Sequence, residues 1–100
     1  MKSRLHIHSQ SPYGNASIGM SLRLLQSQDA LLFRGDAVYA AVRFSEANRM
    51  LTHTTRTMYV LREDAEERGV VHRINDNMHL INYREFVQVC IQYDETLSWR

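Results

Sequence analysis

Asp29-Ala30-Leu31-Leu32-Phe33 is the stretch that decides the fold. After Asp29 its residues are apolar without interruption. A strand with one wet face alternates apolar and polar side chains, whereas a strand covered on both faces has no reason to. The stretch therefore predicts an inner strand of a mostly parallel sheet with helices over it. Arg34-Gly35-Asp36 ends it. Short strand and helix signals alternate on either side, which is the pattern of an α/β domain.

Upstream, Ile18, Leu22 and Leu25 fall at helical spacing and predict a helix over Ala16 to Gln26. Gly19 weakens it by up to ~1 kcal/mol relative to Ala. Ser11-Pro12-Tyr13-Gly14-Asn15 breaks the chain before it, because Pro fixes φ and Gly and Asn tolerate turns. Leu5-His6-Ile7-His8-Ser9 reads as the first strand, with Leu5 and Ile7 on one face and His6 and His8 on the other.

Downstream, Asp36 is a good N-cap for a short helix through Ala37 to Val42, although Val38 to Val42 also fits an extended segment. Glu46 to Leu51 has a helical apolar side made of Ala47, Met50 and Leu51. Thr57-Met58-Tyr59-Val60-Leu61 is the clearest strand. Glu63 to Arg68 has acids first, Arg last and Gly69 just beyond, the order that suits the helix dipole and a glycine C′ position. Val70 to Ile74 reads as a short edge strand, Asn75-Asp76-Asn77 as a turn and Met78 to Ile81 as another strand. Asn82 and Glu85 form a capping-box signature for the last helix. Phe86, Cys90 and Tyr93 make its apolar stripe, widened by Val87 and Ile91. Trp99 is costly to leave in water and is expected to dock on the body or on a partner.

Composition narrows the class. The 100 residues suit one domain, with a large share of its surface left for water or a partner. No apolar run is long enough to span a bilayer, and Met1 to Ser9 does not read as a signal peptide. Net charge is +1, and the single Lys2 stands against eleven Arg. Arg is enriched at protein interfaces where Lys is depleted, so the bias points to a protein partner. Acids and bases are interspersed, unlike the basic stripe of a nucleic-acid reader. One Cys excludes an internal disulfide framework and fits a reducing, cytoplasmic setting.

Chemistry candidates are few. Cys90, between Val89 and Ile91 on the apolar stripe, reads as a packing residue rather than a reactive thiolate, which would need a cation or helix N-terminus beside it. A sulfur carrier or enzyme built on Cys90 is the rival reading. His6 and His8 at i, i+2 supply two metal ligands where a structural zinc site needs four, so they read as residues of a polar or interface face. The glycines never cluster into a phosphate loop, so no nucleotide or flavin cofactor is expected. Glu63, Asp64, Glu66 and Glu67 read as a solvated helix face.

Several segments, in order and at matching spacing over nearly the whole chain, resemble the TusB/DsrH family. They are Leu5-His6-Ile7-His8 leading into Ser11-Pro12-Tyr13; Ser21-Leu22-Arg23-Leu24-Leu25 followed by Asp29 to Phe33; and Asp36-Ala37-Val38-Tyr39-Ala40-Ala41-Val42. Tyr59-Val60-Leu61-Arg62-Glu63-Asp64 with Arg68-Gly69 comes next, then Ile81-Asn82-Tyr83-Arg84-Glu85-Phe86-Val87 and the closing Ser98-Trp99. The resemblance implies a three-layer DsrE/F-like (flavodoxin-like) domain with a mostly parallel four- to five-stranded sheet, filling residues 1–100.

It also implies a non-catalytic subunit of a sulfur relay that thiolates the tRNA wobble uridine, making 5-methylaminomethyl-2-thiouridine. The partners would be TusC-like and TusD-like subunits, two copies of each in a heterohexamer. A TusA-like donor would feed the complex and a TusE-like carrier would drain it, with the persulfide Cys on the TusD-like partner. Neither membrane binding nor direct tRNA contact is expected. DsrH members of sulfur-oxidising systems carry a Cys early in the first helix; Ser21 or its neighbour Met20 stands there in this chain. Neither a hydroxyl nor a thioether holds a persulfide. Ala37 replaces a family Gly, with Gly35 two residues earlier, which implies a different turn after the Ala30–Phe33 strand. The alternatives are a DsrH-like sulfur-oxidation subunit and a stand-alone homo-oligomeric binding module. Expected contact residues are His6, His8, Tyr39, Arg43 and Trp99, chosen for amphipathic or bidentate side chains.

Overall fold

The uninterrupted apolar run becomes the middle strand of the sheet. The computed structural model describes residues 2–100; Met1, at the head of the His-rich opening segment, lies outside them. The strands are β1 (Arg4–His8), β2 (Ala30–Phe33), β3 (Thr57–Leu61), β4 (His79–Ile81) and β5 (Glu95–Trp99). They lie in the order β4-β3-β2-β1-β5, and every neighbouring pair is parallel. The helices are α1 (Ser17–Leu24), α2 (Glu46–Arg49), α3 (Arg62–Glu67) and α4 (Tyr83–Gln92), with 3-10 turns at Gly35–Ala41 and Val71–Arg73. The chain steps outward from β1 to β4. Helix α4 then carries it back across the sheet to lay β5 against the free side of β1.

Strand β2 is buried along its length because it separates two cores. Leu31 and Phe33 join Ile18, Val38, Leu51, Met58 and Val60 on one side of the sheet. Ala30 and Leu32 join Leu5, Ile7, Leu61, Ile81, Phe86 and Val89 on the other, under α4. Helices on both faces of a parallel sheet make the expected three-layer α/β arrangement, here with five strands.

Local signals explain the element ends. Asn82 accepts from the Glu85 N–H at 2.9 Å while Glu85 accepts from the Asn82 N–H at 2.9 Å, so the capping box that starts α4 is complete. Gly69 ends α3 with φ 69°. Gly35 holds φ 54°, and a Cβ there would lie 3.1 Å from the Ser9 carbonyl oxygen. The turn after β2 therefore needs its glycine at position 35.

The structure corrects several expectations. Asp36 does not cap a helix; it sits inside the 3-10 turn and accepts from Arg68 Nε at 2.9 Å. Val70 to Ile74 is not a strand, because Arg73 N–H turns back to the Val70 carbonyl and only Val42 and Ile74 bridge, antiparallel. The segment Glu95–Trp99 is a full edge strand, paired with β1 along its length, although no strand signal marks it in the sequence. On α4 the Phe86, Cys90 and Tyr93 stripe faces the core as the spacing suggested, but Val89 is buried beside it whereas Val87 and Ile91 face water.

Candidate functional site: a histidine seam under the last strand

His6 and His8 leave β1 on the face opposite Leu5 and Ile7, as alternation requires, and both rings are 1% exposed. Their surroundings determine what each nitrogen does. Trp99 pairs with His8 in register across β1 and β5, and its indole N–H donates to His6 Nδ1 at 3.0 Å. Nδ1 is thus an acceptor, and the ring proton lies on Nε2, which donates to Asp29 Oδ2 at 3.0 Å. Asp29 stands just before β2 and also accepts from the N–H groups of Arg4 and Gln26, each at 3.0 Å. Burial pushes this carboxyl up, but the Gln26, His6 and Arg4 donors outweigh it and hold it below the usual carboxylate range.

His8 is wired to a different group. The Ser21 hydroxyl, in α1, donates its one proton to the Ile18 carbonyl at 2.8 Å. His8 Nε2, 2.9 Å from Ser21 Oγ, is then the donor of that pair. Its Nδ1 lone pair has no polar partner among the described residues and lies in a ring stacked between Phe33 and Trp99, at centroid distances of 5.8 and 5.9 Å. Burial, with His6 adding to it, lowers the His8 pKa from 6.5 to about 4, so the ring is neutral at pH 7.

Ser21, His8, His6 and Asp29 are residue types of a hydrolytic triad, but the wiring is split. A working triad runs acid to histidine to serine, with the histidine accepting the serine proton. Here Asp29 holds His6, His6 holds Trp99, and Ser21 gives its proton to backbone while accepting from His8. The seam is suited to fastening β5 onto the sheet.

The lone thiol is elsewhere. Cys90 is half-buried on the inward side of α4 beside Tyr93 and Phe86. Burial pushes its pKa up, and the opposing pull of Arg34 is the weaker effect. Arg34 stacks over the Phe86 and Tyr83 rings and donates to the Tyr83 hydroxyl at 3.0 Å. The acidic helix face has internal work as well: Asp64 accepts from the Gly35 N–H and Glu63 from the Tyr83 N–H.

Of the five expected contact residues, the structure brings His6, His8 and Trp99 together inside the chain. Tyr39 is half-buried against the Ile18–Met58 core, and Arg43 alone is fully on the surface. Asp29 and Ser21, which complete the seam, were not read as site residues. The signal for Asp29 was its place directly before a doubly buried strand, where an acid must find donors. Exposed apolar side chains form a row on α4, where Tyr83, Val87 and Ile91 recur every four residues, with Leu97 exposed on β5 and Tyr13, Met20, Leu24, Phe44 and Met50 exposed elsewhere. Among the described residues, no helix is long and apolar enough to cross a membrane.

A family model described as DsrH like protein matches residues 10–96. Protein TusB from Pectobacterium parmentieri is 38% identical over 95 residues, which is 95% of this chain and 99% of that one. Protein TusB from Yersinia pestis (strain Pestoides F) is 36% identical over the same shares. The chain belongs to the DsrH/TusB family. The crystal structure of the ychN protein from E. coli superposes with a TM-score of 0.78 over 99% of this chain and 100% of that one. At 22% identity, that likeness speaks for the fold alone. Of the two α1 positions that the sequence resemblance sets against a family thiol, Ser21 is buried against His8 and Met20 is exposed.

Proposed function

We propose that this chain is a non-catalytic, cytoplasmic subunit of a TusBCD-type sulfur relay that serves 2-thiolation of the tRNA wobble uridine. It would assemble with TusC-like and TusD-like subunits, two of each in a heterohexamer, the TusD-like partner carrying the persulfide. TusA-like and TusE-like carriers would stand before and after the complex. The observation that carries this reading is the state of the sulfur-bearing positions. At the place of the family thiol, Ser21 is fully buried and committed to Ile18 and His8, its neighbour Met20 carries only a thioether, and the Cys90 thiol is held protonated on the inner side of α4. The apolar row Tyr83, Val87, Ile91 and the open edge of β5 support a subunit role, because a small domain leaves such surface for partners.

Deletion of the gene tests the reading, with nucleoside mass spectrometry of bulk tRNA as the measurement. Loss of the 2-thio group, restored equally by wild type and by Cys90→Ser, is the expected outcome. Unchanged thiolation in the deletion strain contradicts the relay role. Failure of Cys90→Ser alone to restore it contradicts the non-catalytic role.

A further inference from the structure

Phe44 is the one non-glycine residue with positive φ among the described residues, at 65°, and it is 91% exposed. Both features are unfavourable. A bulky side chain in the left-handed region is strained, and a phenyl ring in water forgoes the burial that would stabilise it. The loop around it is firmly built. Arg43 N–H donates to the Arg73 carbonyl and Asn75 N–H to the Ala41 carbonyl, each at 2.8 Å. Ser45 Oγ donates to the Val42 carbonyl at 2.8 Å and caps α2 by accepting from Asn48 N–H at 3.1 Å. The buried Asn48 side chain donates to the Ala40 carbonyl at 3.0 Å and accepts from Asn75 Nδ2 at 2.8 Å. The ring is therefore held out by its frame.

Two shallow clefts of about 300 and 350 Å³ flank Phe44; Arg43 lines both, Arg73 the first and Arg49 the second. All three guanidinium groups are exposed, and none has an ion-pair partner among the described residues. Arg43 is pre-aimed by its Nη2 bond to the His72 carbonyl at 3.1 Å. We propose that Phe44, flanked by Arg43, Arg49 and Arg73, is a docking knob for a partner protein that presents an apolar socket rimmed by carboxylates. Planar guanidinium forks match carboxylates bidentately, and a rigid aromatic beside arginines has the composition of an interface hot spot. A nucleic-acid strand fits less well. Glu46 and Asp76 adjoin the cleft residues Ser45 and Asn75 in the chain, so the positive charge forms no continuous track.

This inference rests on the subunit reading above, and its probe is the pair of TusC-like and TusD-like subunits from the same source, co-expressed with the chain. Phe44→Gly removes the knob and relieves the backbone, so the isolated variant should melt higher than wild type. Its affinity for the co-expressed pair should fall by about thirty-fold or more. Phe44→Asn, which tolerates the same φ, should behave alike. Arg43→Glu with Arg73→Glu should weaken association further and remove its salt dependence. Wild-type affinity in both Phe44 variants overturns the knob and leaves the subunit reading intact. No association of wild type with either subunit overturns both readings. Loss of binding to bulk tRNA in the Phe44 variants, with the protein complex unchanged, replaces the protein socket with a nucleic-acid one.

Discussion

Two regions of this molecule break the usual partition of polar and apolar groups, in opposite directions. At the seam between β1 and β5, polar rings and a carboxylate are taken out of water. In the 42–45 loop, an apolar ring is put into it. At the seam nearly every donor and acceptor finds a partner within the chain, with the Nδ1 lone pair of His8 as the exception. The cost of desolvation is offset internally. Around Phe44 the backbone is equally well bonded, but nothing inside the molecule offsets the exposure of the ring. A violation balanced within the fold is structural, whereas one left unbalanced points outside it.

Asp29→Ala is the sharpest test of the internal balance. It strands the Arg4 and Gln26 N–H groups and His6 Nε2 in a buried site, and urea unfolding should show a loss of roughly 3–5 kcal/mol. A loss below about 1 kcal/mol would mean that water reaches the seam and that the contrast with the loop is overdrawn.

The second test is pH. The His8 ring titrates near 6.5 when unfolded and at about 4 when folded, so between those values the unfolded chain takes up the proton first. The stability tied to this ring is complete above pH 6.5, falls as pH drops through the window and is spent near pH 4, about 3 kcal/mol in all. Asp29, also depressed, adds its loss only at lower pH still, as the folded carboxylate is protonated. Denaturant titrations at several pH values should show this slope. His8→Phe should flatten it between pH 6.5 and about 4.

Trp99→Phe comes next. It keeps an aromatic on the histidines but leaves His6 Nδ1 without its donor, for an expected cost of about 1–2 kcal/mol. Hydrogen exchange in β5 should rise more than in β2, since the indole N–H ties the last strand to the sheet, where the other side-chain tie is the exposed Arg4–Glu95 pair. The smallest effect belongs to the loop and has the opposite sign. Phe44→Gly should stabilise the isolated chain by about 0.5–1 kcal/mol, because relief of the left-handed strain exceeds the entropy glycine adds to the unfolded state. Destabilisation would mean that the ring packs somewhere and that the loop balances its own account.

Reading from residues to structure succeeded where neighbouring residues supply the cause. The β2 run, the β3 strand, the Asn82–Glu85 capping box and Gly69 after α3 are near-neighbour physics, and each formed within a residue or two of the expected ends. It failed where the cause is distant. Val70 to Ile74 has strand composition, yet its N–H groups turn inward on Ala65 and Val70. Val87 and Ile91 fit a helical stripe, but the rotation of α4 over the sheet left them facing water. The histidines alternate with Leu5 and Ile7 as expected, and only packing decided that their face is closed.

From its amino acids alone this chain determined a doubly covered central strand, an α/β alternation and a family likeness. The tertiary structure decided that Trp99, 93 residues from His6, would close the seam, and that Phe44 would stand outside everything. The reason is range. Periodicity and capping act across a few residues and leave a trace in the order of the chain. The partner of a buried polar group and the orientation of a loop depend on which distant segments the sheet brings together.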